Sequence, residues 1–172
     1  MGTIRPAERR DAAACAALYN YYIVNTTVTM ELEAVTEEAF ARRIESVTAE
    51  FPWLVWEEDG EILGYGYLSR FHERAAYRFT CDLSLYVDRG ARGRGIGAAL
   101  LEALEKKAQE LGFCHMISLI TTENAPSAAF HEKHGFKKAG EIPDIAFKHR
   151  RWMGLMYYKK TLLDRPDPEI YE

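Results

Sequence analysis

Cysteine is scarce in this 172-residue chain: Cys15, Cys81 and Cys114 are an odd number with no close pair. That spacing excludes a disulfide scaffold or a zinc ribbon and fits free thiols in a reducing cytoplasm, where we expect the protein to reside. No apolar run approaches the ~18 residues of a membrane span. The opening MGTIRPAERRD lacks the apolar stretch of a secretion signal, and Pro6 stands where a myristoylation site needs Ser or Thr. His72, His115 and His149 show no metal-ligand spacing, so no metal is expected. Internal repeats and low-complexity tracts are missing too. Basic charge is not in excess: the net charge of −4 argues against a general nucleic-acid or membrane-surface binder.

What is present suffices for a core. The chain is 48% hydrophobic, and one of this length buries roughly 70% of its unfolded surface. We expect a single domain over residues 1–162 and an irregular tail over 163–172, where two prolines frame an acidic segment.

The patterning is hairpin-rich. Thr3 to Pro6 reads as a short strand, and Asp11 as the N-cap of a helix from Ala12 to about Tyr22. NTTVTMELEAV reads as an extended loop, after which Thr36 caps a helix with Phe40, Ile44 and Val47 on one face. WLVWEEDGEILGYGYLSR is two strands around an Asp59-Gly60 turn. In FTCDLSLYV, Cys81, Leu83, Leu85 and Val87 point one way, and Asp82, Ser84 and Tyr86 the other. A glycine-rich turn then leads into a helix ending before Gly112, and HMISLIT reads as a buried strand. Asn124 caps a further helix that Gly135 closes, and strands over about Phe136–Glu141 and Trp152–Thr161 complete the set. The sum is α+β: a largely antiparallel sheet carrying helices, with one β-loop-α-β unit in the middle.

That turn, DRGARGRGIGA, concentrates chemistry. Gly93, Gly95 and Gly97 leave backbone N–H groups unshielded between a strand end and a helix N-terminus, where amides and helix dipole favour an anion. Arg89, Arg92 and Arg94 add positive charge, and a pyrophosphate is the natural guest. A Walker A loop is excluded, because Gly97-Ala98-Ala99 replaces its Gly-Lys-Ser/Thr end. The looser dinucleotide fingerprint is met by Gly93-x-Gly95-x-x-Ala98, with Glu123 near the position of its ribose-binding acid. A hairpin precedes the turn, however, and about sixty residues follow it, too few for a doubly wound sheet.

Arg92-Gly93-Arg94-Gly95-Ile96-Gly97 matches the Arg/Gln-x-x-Gly-x-Gly/Ala signature of the GNAT N-acetyltransferase superfamily. With SLYVDRGARGRGIG before and ENAPSAAFHEKHGF after, the chain resembles that superfamily. Through PWLVWEEDGEILGYGYL, AYRFTCDLSLYV, SAAFHEKHGF and FKHRRW it resembles the phosphinothricin (amino-acid) N-acetyltransferases, from about Ile4 to Lys160. The resemblance implies the GNAT fold: a mixed, mostly antiparallel sheet flanked by helices around an acetyl-CoA-binding β-loop-α core. It implies a diphosphate on the amides of Arg92 to Ala98 (Arg92, Gly93, Arg94, Gly95, Ile96, Gly97, Ala98) and pantetheine paired along the backbone of Leu85, Tyr86 and Val87, where the sheet splays. Asn124 would bond the pantetheine arm, and Ser127 and Lys133 would lie nearer the nucleotide.

Acetyl transfer requires a neutral amine, and an amine of pKa about 8 is only roughly one-tenth neutral at pH 7. A general base and a donor for the developing oxyanion therefore help. Asp82 stands where the resembled family carries a glutamate base; it is one methylene shorter and can alternatively serve a neighbouring loop. His131 takes the place of a tyrosine acid in many superfamily members, to protonate a thiolate or relay a proton, or as a structural helix histidine. For a small amino-acid substrate, Arg74, Arg78 and Lys148 are candidate carboxylate partners, against plain surface charge. Met30, Phe71 and Trp152 are candidate pocket walls, against ordinary core packing. The resemblance further implies a homodimer. A protein or peptide N-acetyltransferase of the same fold, and a non-catalytic acyl-CoA sensor, stand as alternatives.

Overall fold

The computed structural model describes residues 2–164, so most of the expected tail lies outside the described residues. Seven strands form one sheet: β1 (Thr3–Pro6), β2 (Trp53–Glu58), β3 (Glu61–Arg70), β4 (Thr80–Val87), β5 (His115–Thr121), β6 (Lys137–Lys148) and β7 (Arg151–Thr161). Four helices accompany them: α1 (Ala12–Asn25), α2 (Glu37–Thr48), α3 (Ile96–Glu110) and α4 (Ala125–Lys133). The strand order is β1-β2-β3-β4-β5-β7-β6. Every pairing is antiparallel except β4 with β5. This rules out the doubly wound parallel sheet of the dinucleotide-binding reading.

The alternation in β4 sorts two cores. Cys81, Leu83, Leu85 and Val87 face α3, with Leu100, Leu101 and Leu104. Tyr86 faces the opposite side, among Tyr19, Tyr22, Phe40, Trp53 and Tyr65 beneath α1 and α2. There the Trp53 and Tyr67 rings stack at 4.2 Å. The β2–β3 turn is the expected tight hairpin, with Asp59 at φ 51° and Gly60 at φ 83°. Thr36 caps α2 by accepting from Ala39 N–H at 3.2 Å.

Two local readings need correction. Asp11 does stand at the N-cap of α1 but makes no cap bond. Its carboxylate accepts from Arg5 at 2.7 and 2.8 Å and from Glu8 N–H at 2.8 Å, fastening a one-turn 3-10 segment to β1. The expected strand ending near Glu141 continues to Lys148, through Pro143 and a register irregularity between Ile142 and Ala146. An edge strand tolerates proline because one side of its backbone has no ladder to serve.

Two glycines set how closely α3 approaches the sheet. A Cβ on Gly64 would stand 3.0 Å from Ile96 Cγ2, and one on Gly66 2.8 Å from Leu104 Cδ1 and 3.0 Å from Leu85 Cδ1. Gly66→Val should therefore overpack this contact and destabilise the protein by ~1–3 kcal/mol. Urea unfolding checks it; an unchanged midpoint would contradict this packing.

Candidate active site

β4 and β5 pair only over Thr80–Asp82 with His115–Ile117. Beyond that point β4 stays with β3 as far as Val87, and β5 with β7 as far as Thr121. The strands part, and a cavity of about 280 Å³ opens between them. Met30, Asp82, Leu85, Tyr86, Ser118, Thr121, Asn124, Ser127 and His131 are among its lining residues.

Three buried polar atoms on this lining have no hydrogen-bond partner among the described residues: Asp82 Oδ1, Thr121 Oγ1 and His131 Nε2. A buried polar atom without a partner carries a desolvation penalty of ~1–3 kcal/mol. Three on one cavity mark where a polar ligand completes the bonding. Burial alone lifts the Asp82 carboxyl from 3.8 to about 7. His131 Nδ1 lies 2.8 Å from the Ser127 carbonyl. A carbonyl only accepts, so Nδ1 carries the proton and Nε2 presents a lone pair. Burial also lowers the His131 pKa, which keeps the ring neutral.

Asn124 Oδ1 accepts from Ser127 N–H at 3.3 Å and so caps α4, while its carboxamide N–H₂ is left for the cavity. The glycine turn lies at the far end of β4. Gly93 (φ 78°) and Gly95 (φ 83°) both adopt left-handed backbone, which costs a residue with a side chain ~1–2 kcal/mol. Gly95 occupies the N-cap of α3 and has no side chain to cap it, unlike Thr36 on α2 and Asn124 on α4. The first intrahelical bond is from Ala99 to Gly95, so the amides of Ile96, Gly97 and Ala98 precede the ladder. A Cβ at Gly93 or Gly95 would meet nothing within 4 Å, so the space over the turn is open. These features fit a diphosphate. Ile96 offers only its amide, since its side chain is 1% exposed in the core.

The arginines of the turn are each held. Arg94 pairs with Glu58, Arg92 Nη2 donates to Tyr22 Oη at 3.0 Å, and the Arg89 guanidinium lies 4.6 Å from the Tyr21 ring centroid. Glu123, the residue of the dinucleotide reading, is fully engaged elsewhere. It accepts from Arg151 at 2.8 Å twice and from Thr27 at 2.8 Å.

The expected substrate residues scatter. Met30 lines the cavity, but Phe71, Arg74 and Arg78 lie on the segment between β3 and β4 and do not. Arg78 covers the Phe79 ring at 4.6 Å and donates to Ala75 C=O at 3.3 Å. Lys148 is 3% exposed and donates to Thr29 C=O at 2.8 Å, tying the β6–β7 hairpin to the loop after α1. Trp152 is 60% exposed against Phe147, so among the described residues it does not line the cavity. Lys133 is exposed on the last turn of α4. Thr121, Ser118 and Tyr22 are additions. The signal for the first two was in HMISLIT, whose Ser and Thr interrupt an otherwise apolar strand.

The chain matches the Acetyltransferase (GNAT) family over residues 15–136. It belongs to that family. It is 30% identical over 157 residues to the phosphinothricin N-acetyltransferase of Streptomyces viridochromogenes, covering 91% of this chain and 86% of that one. It is 31% identical to the L-methionine sulfoximine/L-methionine sulfone acetyltransferase of Pseudomonas paraeruginosa, covering 93% and 94%. Among solved structures, a GNAT superfamily phosphinothricin acetyltransferase from Sinorhizobium meliloti in complex with AcCoA superposes with a TM-score of 0.91. That match has 32% identity and covers 99% and 95% of the two chains. This GNAT protein is thus an acetyl-CoA-dependent N-acetyltransferase. Among the described residues no group of His, Cys, Asp or Glu is placed to hold a metal ion, and no helix is long and apolar enough to cross a membrane.

The raised Asp82 pKa has a stability consequence. Between about pH 4 and 7 the unfolded chain loses this proton while the folded one keeps it, so stability falls as pH rises and the loss is complete above about 7. Asp82→Asn has no such proton. At pH 8 it should exceed the wild type by on the order of 4 kcal/mol, with little difference at pH 4. Urea unfolding at both pH values reads this, and an Asn variant less stable at pH 8 would refute the buried, uncompensated carboxylate.

Proposed function

We propose that the protein acetylates the amine of a small amino-acid-like substrate, with phosphinothricin, methionine sulfoximine or sulfone and related amino acids as the class. The relatives named for these substrates support it, and so does a cavity of about 280 Å³, which suits a small zwitterion better than a peptide chain. The observation that carries the reading is the set of three unpartnered polar atoms on that cavity.

Acetyl-CoA supplies the activated acyl group; the amine attacks its carbonyl, a C–N bond forms and the C–S bond to coenzyme A breaks. In our reading the amides from Arg92 to Ala98 hold the diphosphate, and the strand-free edge of β4 from Leu85 to Val87, where the Val87 carbonyl already accepts from Tyr22, takes the pantetheine. Asp82 removes the amine proton. Its pKa of about 7 keeps a useful fraction ionised at neutral pH and leaves it strong enough to accept. His131, neutral with Nε2 as lone pair, takes the second proton from the nitrogen once the C–N bond has formed and passes it to the departing sulfur, so it serves as a relay and not as a resting acid. Thr121 Oγ1 is a hydroxyl on the lining of the same cavity and can donate.

Asp82→Asn should lower kcat by ~10²–10⁴-fold while acetyl-CoA still protects the fold from heat. For the wild type, kcat/KM should rise with pH to a plateau above about 7 as Asp82 ionises. Coenzyme A release from a panel of amino-acid analogues and short peptides measures both. Turnover surviving in the Asn variant would remove Asp82 from the mechanism, and peptides outcompeting free amino acids would overturn the substrate class.

We also infer a homodimer in the cytoplasm, a setting consistent with three buried free thiols. Leu119, Ile142, Ile145, Phe147 and Trp152 leave exposed apolar side chains on β5, β6 and β7. A second copy of this chain is the occupant proposed for them. Trp152→Arg should give a monomer by sedimentation velocity, and a wild type that is itself monomeric would dismiss the dimer.

A further inference from the structure

The hydroxyl of Tyr22 reaches across from α1 to both the start and the middle of the glycine turn. It donates to the backbone carbonyl of Val87, the last residue of β4. It accepts from Arg92 Nη2 at 3.0 Å. The side chain is 4% exposed, its ring 5.8 Å from that of Tyr86, and the Arg92 guanidinium carbon lies 5.6 Å from its centroid. One buried oxygen therefore fixes the strand end from which the turn departs and the arginine that opens its Arg-x-x-Gly-x-Gly stretch.

The choice of partner matters. Arg94 is held by the carboxylate of Glu58, whose charge offsets its own. Tyr22 holds Arg92 through a neutral acceptor, so the guanidinium keeps its full positive charge and its remaining N–H donors. An arginine on an exposed turn loses rotamer freedom when it binds an anion, and ordering it beforehand removes that loss from the binding step. Gly93, next in the chain, allows the backbone to swing, so without an anchor Arg92 has both side-chain and backbone freedom to lose.

We propose that Tyr22 is a positioning residue for the acetyl donor: it presets Arg92 and the end of β4 so that a nucleotide diphosphate meets a turn already ordered. The inference rests on the reading of the glycine turn as the diphosphate site. It assigns Tyr22 no contact with the reacting atoms.

The test is steady-state kinetics of Tyr22→Phe with two donors, acetyl-CoA and acetyl-pantetheine, the second lacking the diphosphate. The KM for acetyl-CoA should rise about 5- to 20-fold, with kcat and the amine KM within about twofold. With acetyl-pantetheine the loss in kcat/KM should be distinctly smaller, confined to what freeing the Val87 carbonyl costs at the end of β4. Arg92→Gln should raise the acetyl-CoA KM as well, and the double variant should add little to it, because the two side chains act as one unit. An unchanged acetyl-CoA KM in Tyr22→Phe overturns the proposal and leaves the diphosphate site standing. Equal losses with both donors overturn it too, as damage to the fold alone would produce that result. If the wild type uses the two donors equally well, the turn binds no diphosphate and the underlying reading falls.

Discussion

β5 cannot follow β4 and β7 at once. It pairs with β7 along all seven of its residues and with β4 over three, so the parallel ladder ends at Asp82 and Ile117. From there the outer edge of β4 has no strand beside it, in the interior of a sheet where backbone groups are otherwise paired. An unpaired edge inside a protein is a standing demand for hydrogen bonds. An extended ligand with its own amides can meet that demand as an added strand would. The same separation opens the cavity, buries Asp82 at its closed end, and brings Thr121 and the α4 residues Ser127 and His131 to its walls.

The two faces of the sheet then divide the work. On one face, Gly64 and Gly66 let α3 lie close against β3, which fixes the uncapped N-terminus of that helix over the end of β4. On the other, α1 and α2 rest on an aromatic layer built from Tyr19, Phe40, Trp53, Tyr65 and Tyr86. Tyr22 belongs to that layer and touches the turn through its hydroxyl. Both sides of one strand, β4, thus bear on the glycine turn, while the same strand carries Asp82 into the cavity. Its strict alternation is the reason a single eight-residue segment can serve both.

Much of this was legible in the sequence, for reasons that are local. The Asp59-Gly60 turn, the Thr36 and Asn124 caps and the alternation in FTCDLSLYV depend on backbone preferences and period, which the chain carries residue by residue. The glycine turn was readable because left-handed backbone, as at Gly93 and Gly95, favours glycine. The destinations of long charged side chains were not. Lys148 looked like a carboxylate partner, yet it ties two loops together through Thr29, and Glu123 joins Arg151 and Thr27. Such pairings connect residues far apart in the chain and leave no periodic trace. The length of β6 was hidden by Pro143, which would end an interior strand but not an edge one.

The substitution of aspartate where the resembled family carries glutamate takes on meaning in this setting. Desolvation is the cause of the raised Asp82 pKa, and no cation offsets it. A shorter side chain keeps its carboxyl nearer the strand and deeper in the splay, where water solvates it least. An amine arriving as its ammonium form brings the missing positive charge, which favours the carboxylate and drives Asp82 to release its proton. On the proposed reading of Asp82 as the base, its basicity is therefore lowest while the charge is present and recovers once the amine is neutral. On the proposed reading, a carboxyl tuned by burial alone gives its proton to solvent as the ammonium arrives and then takes one from the amine, whereas a resident arginine beside it would hold it ionised throughout.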